Sequence, residues 1–249
     1  MRKILYYLYQ PYKWLVVVPL FGISTVFFGS LAAVLATLVS PKFGSMVSGI
    51  GWSRLNAFFT PMFVSVHGRE KMDEKQSYVI VANHQSGYDI YVLYGWLGVD
   101  FKWVLKQELR KAPGLGVGCE KLGHIYVDRS NTDAAIRSIE KAKERIKDGT
   151  SVVFFAEGTR SEDGKLLTFK KGAFRMAIDL GLPVLPISIV GTRHVQPPNT
   201  YDVFPGKAKL VIHQPIPIEG YDRSNMMELL KRTRAAIDSG LEDESPNRA

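Results

Sequence analysis

The hydrophobic pattern divides this chain into two regimes. From residue 14 to residue 40 no charged side chain interrupts a run rich in Val, Leu, Phe and Ala. As a helix that run extends roughly 40 Å, against about 30 Å for the hydrocarbon core of a bilayer. Tyr6, Tyr7, Tyr9, Tyr12 and Trp14 crowd its start, as expected at a headgroup interface. Arg2, Lys3 and Lys13 precede it, Lys42 follows, and Pro19 can kink it. A second apolar stretch, residues 46–63, carries Arg54 and Asn56 and reads as an interfacial helix, with Pro41 and Gly44 turning the chain between the two. The pattern predicts a helical pair that anchors the protein on one leaflet, both ends cytoplasmic. A single true span is the alternative, because the Lys/Arg bias is too even to exclude it. A buried core helix or a signal peptide fits a run of this length less well.

Beyond residue 61 the period shortens. Apolar runs predict strands over residues 62–66, 78–82, 101–105, 125–127, 152–155, 184–190 and 208–213. Helical spacing predicts helices over residues 132–147 (apolar at Ala135, Ile136, Ile139, Ala142 and Ile146, stopped at Gly149), 169–180 (closed by Gly181 and Pro183) and 224–237. This alternation implies an α/β fold, a mixed sheet flanked by helices, following an N-terminal two-helix hydrophobic anchor. The expected organisation is residues 1–61 as anchor, 62–240 as the α/β domain and 241–249 as a polar tail. Pro186, inside the strand at 184–190, points to an edge or a bulge.

Two of these strands run into polar turns that carry chemistry. The first is Asn83-His84-Gln85-Ser86-Gly87-Tyr88-Asp89. Histidine accepts and returns protons near neutral pH, and an aspartate within reach can hold its ring in one tautomer. On one continuous helix five residues would leave the two side chains about 140° apart. The pair works if His84 lies in the turn and Asp89 in the first turn of a helix that Ser86 caps. The plainer reading makes Asp89 only the capping-box partner of Ser86. The second turn is Ala156-Glu157-Gly158-Thr159-Arg160-Ser161. Gly158 lets backbone approach a ligand, Arg160 offers a planar fork for phosphate oxygens, and Thr159 and Ser161 add hydroxyls. Its plainer reading is an exposed turn with an arginine paired to a surface carboxylate.

Composition narrows the classes. The net charge of +8 suits an anionic surface or acidic ligands. No zinc-finger spacing, basic zipper or RNP-like strand supports nucleic acid. Cys119 stands alone, so no internal disulfide forms. The five histidines form no HExxH or Cys/His cluster, and no catalytic metal or cofactor is expected. No G-x-S-x-G is present, which argues against a serine lipase.

Four ordered blocks, Asn83-His84-x4-Asp89, Ile125-x-Val127-Asp128-Arg129, Phe155-x-Glu157-Gly158-Thr159-Arg160-Ser161 and Leu185-Pro186-Ile187, resemble the PlsC-type 1-acyl-glycerol-3-phosphate acyltransferases over residues 64–213. Ala156 departs from the proline usual before Glu-Gly-Thr, which predicts a looser turn. The resemblance implies direct acyl transfer from acyl-CoA or acyl carrier protein to lysophosphatidic acid, giving phosphatidic acid at the cytoplasmic face of a bilayer. His84 would be the general base and Asp89 its orienter. Gly158, Thr159 and Arg160 would hold the phosphate, helped by Lys106 and Arg129. Glu157 would contact the glycerol hydroxyl or brace the turn, and backbone amides over residues 83–87 would stabilise the oxyanion. Lys170 and Lys171 read most simply as a solvated face. The alternatives are the same chemistry on another lysolipid or on glycerol 3-phosphate, or a non-catalytic membrane-anchored lipid-binding protein.

Overall fold

The structure, a computed structural model, describes residues 2–128, 138, 140 and 143–241, with side chains from residue 6 onward. Among these residues seven strands form one sheet: β1 (Met62–His67), β2 (Val79–Ala82), β3 (Phe101–Lys106), β4 (Ile125–Val127), β5 (Ser151–Phe155), β6 (Val184–Val190) and β7 (Gly206–Ile212), in the order β1-β7-β6-β2-β5-β3-β4. Neighbours are parallel except β6 and β7. The sheet is therefore mixed, and the C-terminal ends of β2, β3, β4, β5 and β6 share one edge.

Every residue of β2 is buried. Ile80 and Ala82 join the core on one face, Val79 and Val81 the core on the other. A strand covered on both faces needs a continuous apolar run rather than alternation, as residues 79–82 show. One face is covered by α4 (Ile50–Phe59) and α5 (Asp89–Trp96), which supply Ala57, Val92 and Leu93. The other is covered by α7 (Gly172–Leu180) and α9 (Met226–Leu241), which supply Phe174, Met176, Leu229 and Ile237, while α6 (Leu115–Lys121) precedes β4.

The proline expectation resolves as a bulge. β6 lies inside the sheet, yet Ile187 pairs with Ile212 while Val184 bridges Ile216. Leu185 and Pro186 thus face His213, Gln214 and Pro215, two residues against three. The Pro186 carbonyl accepts from His213 N–H at 3.1 Å, so its imide nitrogen also faces this gap, where no ladder hydrogen bond is lost.

At the N-terminus α1 (Arg2–Tyr12), a wider π-type turn (Lys13–Val17) and α2 (Val18–Leu38) run on as one helix. Tyr6–Leu38, 33 residues, is the one helix among the described residues long and apolar enough to cross a membrane. Ser40 then breaks it: its hydroxyl accepts the Phe43 N–H at 3.1 Å, with Pro41 at the first position of α3 (Pro41–Gly44). A second π-type turn (Ser45–Gly49) leads into α4, which returns along α2.

The polar residues of α4 bond to neighbouring elements of the protein. Asn56 is buried, donating to Ser24 Oγ at 2.9 Å, and Arg54 Nε donates to the Gly95 carbonyl at 3.0 Å at the end of α5. Lys13 likewise is buried and paired with Asp202 at 3.0 Å. Arg54 and Lys13 thus join the helical pair to the α/β domain, whereas Asn56 joins α4 to α2 within the pair. The helix expected over residues 132–147 lies largely outside the described residues, as does the tail from residue 242.

Candidate active site

The strand register assembles the site. Ala82 stands opposite Phe155 on one side and Ile187 on the other. Two residues further on, His84 and Glu157 emerge side by side, and Asn83 extends the sheet with its side chain. The Asn83 amide donates to the Ile189 carbonyl at 2.9 Å and accepts from the Ile189 N–H at 2.7 Å, replacing a ladder pair where β2 has ended.

His84 and Asp89 meet as the spacing requires. His84 Nδ1 lies 2.7 Å from Asp89 Oδ2, with the imidazole stacked on Phe155 at 3.9 Å between ring centres. The carboxylate is completely buried. Its Oδ2 also accepts from Gln85 N–H at 2.7 Å and Ser86 N–H at 2.9 Å, and its Oδ1 accepts from the Thr192 hydroxyl. An oxygen serving two other donors has only lone pairs to offer, so Nδ1 carries the proton and Nε2 is left basic. The helix begins at Asp89 with Tyr88, not Ser86, at its N-cap, yet Ser86 Oγ accepts the Tyr88 N–H at 3.1 Å and Asp89 accepts the Ser86 N–H, so Asp89 also closes the turn that leads into α5. One side chain does both jobs, and the two readings of Asp89 are not rivals.

The second turn locks onto the first. Glu157 is buried, and its two oxygens accept from His84 N–H and from Leu167 N–H, each at 2.8 Å. Burial pushes its carboxyl above the ordinary range, and these two bonds and the neighbouring His84 offset part of that rise. Of the two roles expected of Glu157, this geometry is that of a brace. Ser161 is also inward: its N–H donates to the His84 carbonyl at 2.8 Å and its hydroxyl to the Lys165 carbonyl at 2.7 Å, so it offers a phosphate nothing. Ala156, where the looser turn was expected, is buried and held by both peptide groups. Its N–H donates to Ala82 at 3.3 Å, a bond proline could not make, and its carbonyl accepts from Lys170 at 2.7 Å.

The basic groups gather on the exposed lip. A Cβ added at Gly87 would lie 4.0 Å from an Arg160 guanidinium nitrogen, so Arg160 reaches across the His84 turn. Gly158 has φ +74°, and a Cβ there would fall 2.8 Å from Lys170 Nζ. Glycine is thus required for the backbone and for the lysine that crosses it. Thr159 and Arg160 are exposed, and Lys106 ends β3 at the same sheet edge, also exposed. Arg129 lies outside the described residues. The amides expected to face an oxyanion are mostly committed elsewhere, His84 to Glu157 and Gln85 and Ser86 to Asp89. The described residues contain no group of three or more His, Cys, Asp and Glu placed to hold a metal ion.

A family model described as Acyltransferase matches residues 63–190, from β1 to the end of β6, and so spans both motifs. The chain belongs to the PlsC-type acyltransferases. The crystal structure of the 1-acyl-sn-glycerophosphate acyltransferase PlsC from Thermotoga maritima superimposes with a TM-score of 0.82 at 30% identity, over 100% of both chains. An acyltransferase of Schizosaccharomyces pombe is 32% identical over 218 residues, 86% of this chain and 78% of that one. The 1-acyl-sn-glycerol-3-phosphate acyltransferase of Saccharomyces cerevisiae is 30% identical over 233 residues, 92% and 76%. A chloroplast enzyme of the same name from Arabidopsis thaliana is 34% identical over 168 residues, but this acyltransferase spans only 46% of its length. Sequence reasoning left Lys170 to the solvated face, quoted Phe155 only as the first residue of a motif block with no role, and did not single out Thr192. A Lys-Lys pair just before a helix was a visible signal for the first, whereas the others are placed only by the sheet.

Proposed function

We propose that this acyltransferase moves a fatty acyl group from an acyl-CoA or acyl-carrier-protein thioester to the sn-2 hydroxyl of 1-acyl-glycerol-3-phosphate, giving phosphatidic acid. The observation that carries the reading is an imidazole whose Nδ1 is committed to a buried carboxylate at 2.7 Å while a guanidinium reaches over the same turn. One group can take a hydroxyl proton, and the other can hold a phosphate on the same molecule. The names of the yeast and Thermotoga maritima relatives support that acceptor.

His84 Nε2 takes the hydroxyl proton as the acceptor oxygen attacks the thioester carbonyl. Asp89 stabilises the imidazolium. The tetrahedral intermediate expels the thiolate, which receives the proton back from His84. No enzyme nucleophile is needed, because the acceptor hydroxyl itself attacks. In this reading the Gly87 N–H, which is not committed to Glu157 or Asp89 as its three predecessors are, serves the developing oxyanion. Arg160 holds the phosphate, with Lys170 and Lys106 on the same lip and Gly158 and Thr159 shaping the turn.

Both substrates are amphiphiles, so the site belongs at a membrane surface. The helix Tyr6–Leu38 leaves Leu15 and Leu38 76% exposed and Ile23 69% exposed, more apolar surface than a soluble face carries. In this reading the helical pair seats the protein on one leaflet with the catalytic domain on the cytoplasmic side. The test is acceptor choice. Purified protein given oleoyl-CoA should acylate lysophosphatidate and leave monoacylglycerol, which lacks the phosphate, nearly untouched. Equal rates on both would overturn the phosphate assignment, and exclusive use of a lysolipid with a bulkier headgroup would reassign the acceptor.

A further inference from the structure

We propose that Thr192 is a positioning residue for acyl transfer: its hydroxyl holds the second oxygen of Asp89, which keeps His84 in the one tautomer that leaves Nε2 basic. This rests on the reading of His84 as the base.

Three observations support it. The first is the bond itself. Thr192 is completely buried, and its Oγ1 donates to Asp89 Oδ1 while Oδ2 faces His84, Gln85 and Ser86. Without that donor, Oδ1 would be a buried carboxylate oxygen with no described partner, the costly half of a broken hydrogen bond. The carboxylate torsion is broad and roughly two-fold, so it needs a donor on each side to fix its plane. Three donors act on Oδ2, and Thr192 acts on Oδ1.

The second is how the chain delivers this hydroxyl. β6 ends at Val190, and Gly191 turns with φ +86° so tightly that a Cβ there would meet the Lys207 carbonyl oxygen at 2.4 Å. A side chain at position 191 is excluded, and the turn brings Thr192, the first residue of the short helix α8 (Thr192–Val195), over Asp89.

The third is that α8 grips the same motif at its other end. The Gln196 N–H closes the turn onto the Thr192 carbonyl at 2.9 Å, and the Gln196 carbonyl accepts from Ser86 Oγ at 2.9 Å. The helix therefore contacts both residues that shape the His84 turn, Asp89 at one end and Ser86 at the other. Asp89 thus receives a local set of donors from its own turn and one distant donor from the helix that follows β6, which fixes the turn against the sheet.

A purely structural hydroxyl would change stability alone, so the test reads catalysis separately. Thr192→Val keeps the shape and removes the donor; Thr192→Ser keeps the donor. In detergent-purified protein with oleoyl-CoA and lysophosphatidate, Thr192→Val should lower kcat by roughly tenfold to a hundredfold, the range of one hydrogen bond to a charged group, with both Michaelis constants unchanged. Thr192→Ser should recover most of that loss. Nitrogen NMR of labelled imidazoles should show the His84 Nδ1–H tautomer losing population in the valine variant and not in the serine variant. A parental kcat in Thr192→Val, a loss confined to the Michaelis constants, or equal loss in the valine and serine variants would each overturn the proposal. His84→Ala assayed alongside separates the two claims. Activity there defeats the base assignment itself, whereas inactivity there beside an unaffected Thr192→Val removes Thr192 only.

Discussion

Replacing Asp89 by asparagine removes one charge from the centre of the site and almost no volume. The hydrogen bonds dictate how the amide must sit. Oδ2 accepts from His84, Gln85 and Ser86, so the asparagine oxygen has to take that side and the NH2 the side of Thr192, whose hydroxyl can rotate to accept. The fold therefore survives, and what is lost is the attraction between the carboxylate and the imidazolium formed when His84 takes the proton. With Nδ1 and Oδ2 at 2.7 Å the charge centres lie farther apart, and at ~4 Å with an effective dielectric of about 20 the attraction is about 4 kcal/mol. At 1.36 kcal/mol per decade this is about a thousandfold in kcat. The assay follows labelled oleoyl-CoA and lysophosphatidate in detergent, with the thermal midpoint recorded for each protein. An Asp89→Asn variant that folds like the parent and turns over at a comparable rate would refute the argument that Asp89 stabilises a charged His84.

Three further outcomes follow from the same geometry. Arg160→Ala should raise the Michaelis constant for lysophosphatidate while kcat changes little, and an unchanged constant would remove Arg160 from the phosphate site. Glu157→Gln should cost about 1–3 kcal/mol of stability, because one backbone N–H would then face an NH2 instead of an oxygen; a thermal midpoint equal to the parent's would show that the brace is dispensable. Stability should also fall between pH 7 and pH 4. His124 is buried, and burial with the charge of Lys102 holds its pKa at about 3, below the ordinary 6.5; burial and Lys71 hold His213 at about 4. The unfolded chain then binds protons that the folded chain refuses, so stability is full above pH ~6.5 and is lost as pH falls, at up to ~1.4 kcal/mol per pH unit for His124. His124 Nδ1 accepts the Trp103 N–H at 3.3 Å, which a proton there would oppose. A thermal midpoint that does not move between pH 7 and pH 5 would contradict the neutral burial of His124.

The sequence revealed most where one physical signal was enough. β6 coincides with its apolar run, because a strand buried on both faces can tolerate little else. His84 and Asp89 were legible because both lie within one turn, a distance over which spacing and capping chemistry decide geometry. Pro186 was legible as an irregularity, but the bulge needed the register of β7 and the Ile216 bridge to be seen. The roles of Glu157 and Ser161 were only half legible. Each has the chemistry to touch a substrate, and only the packing of one turn on the other shows their oxygens bonded inward. Arg54 and Asn56 misled for a similar reason. A polar residue beside an apolar run looks interfacial until the helix or domain it pairs with is in place. Thr192 lies 103 positions from the carboxylate it serves, and no local pattern reports a contact of that separation.

The central claim is that His84 Nε2 is the base that activates the acceptor hydroxyl, and its most direct test is single-variant turnover. A general base contributes about 10² to 10⁴ in rate, so His84→Ala should lose roughly 3 to 5 kcal/mol of transition-state stabilisation. Labelled oleoyl-CoA and lysophosphatidate would be given to the purified parent and to His84→Ala at matched concentration and matched thermal midpoint. The account expects phosphatidate from the parent and a rate at least about a hundredfold lower from the variant. Near-parental phosphatidate synthesis by a folded His84→Ala would contradict it.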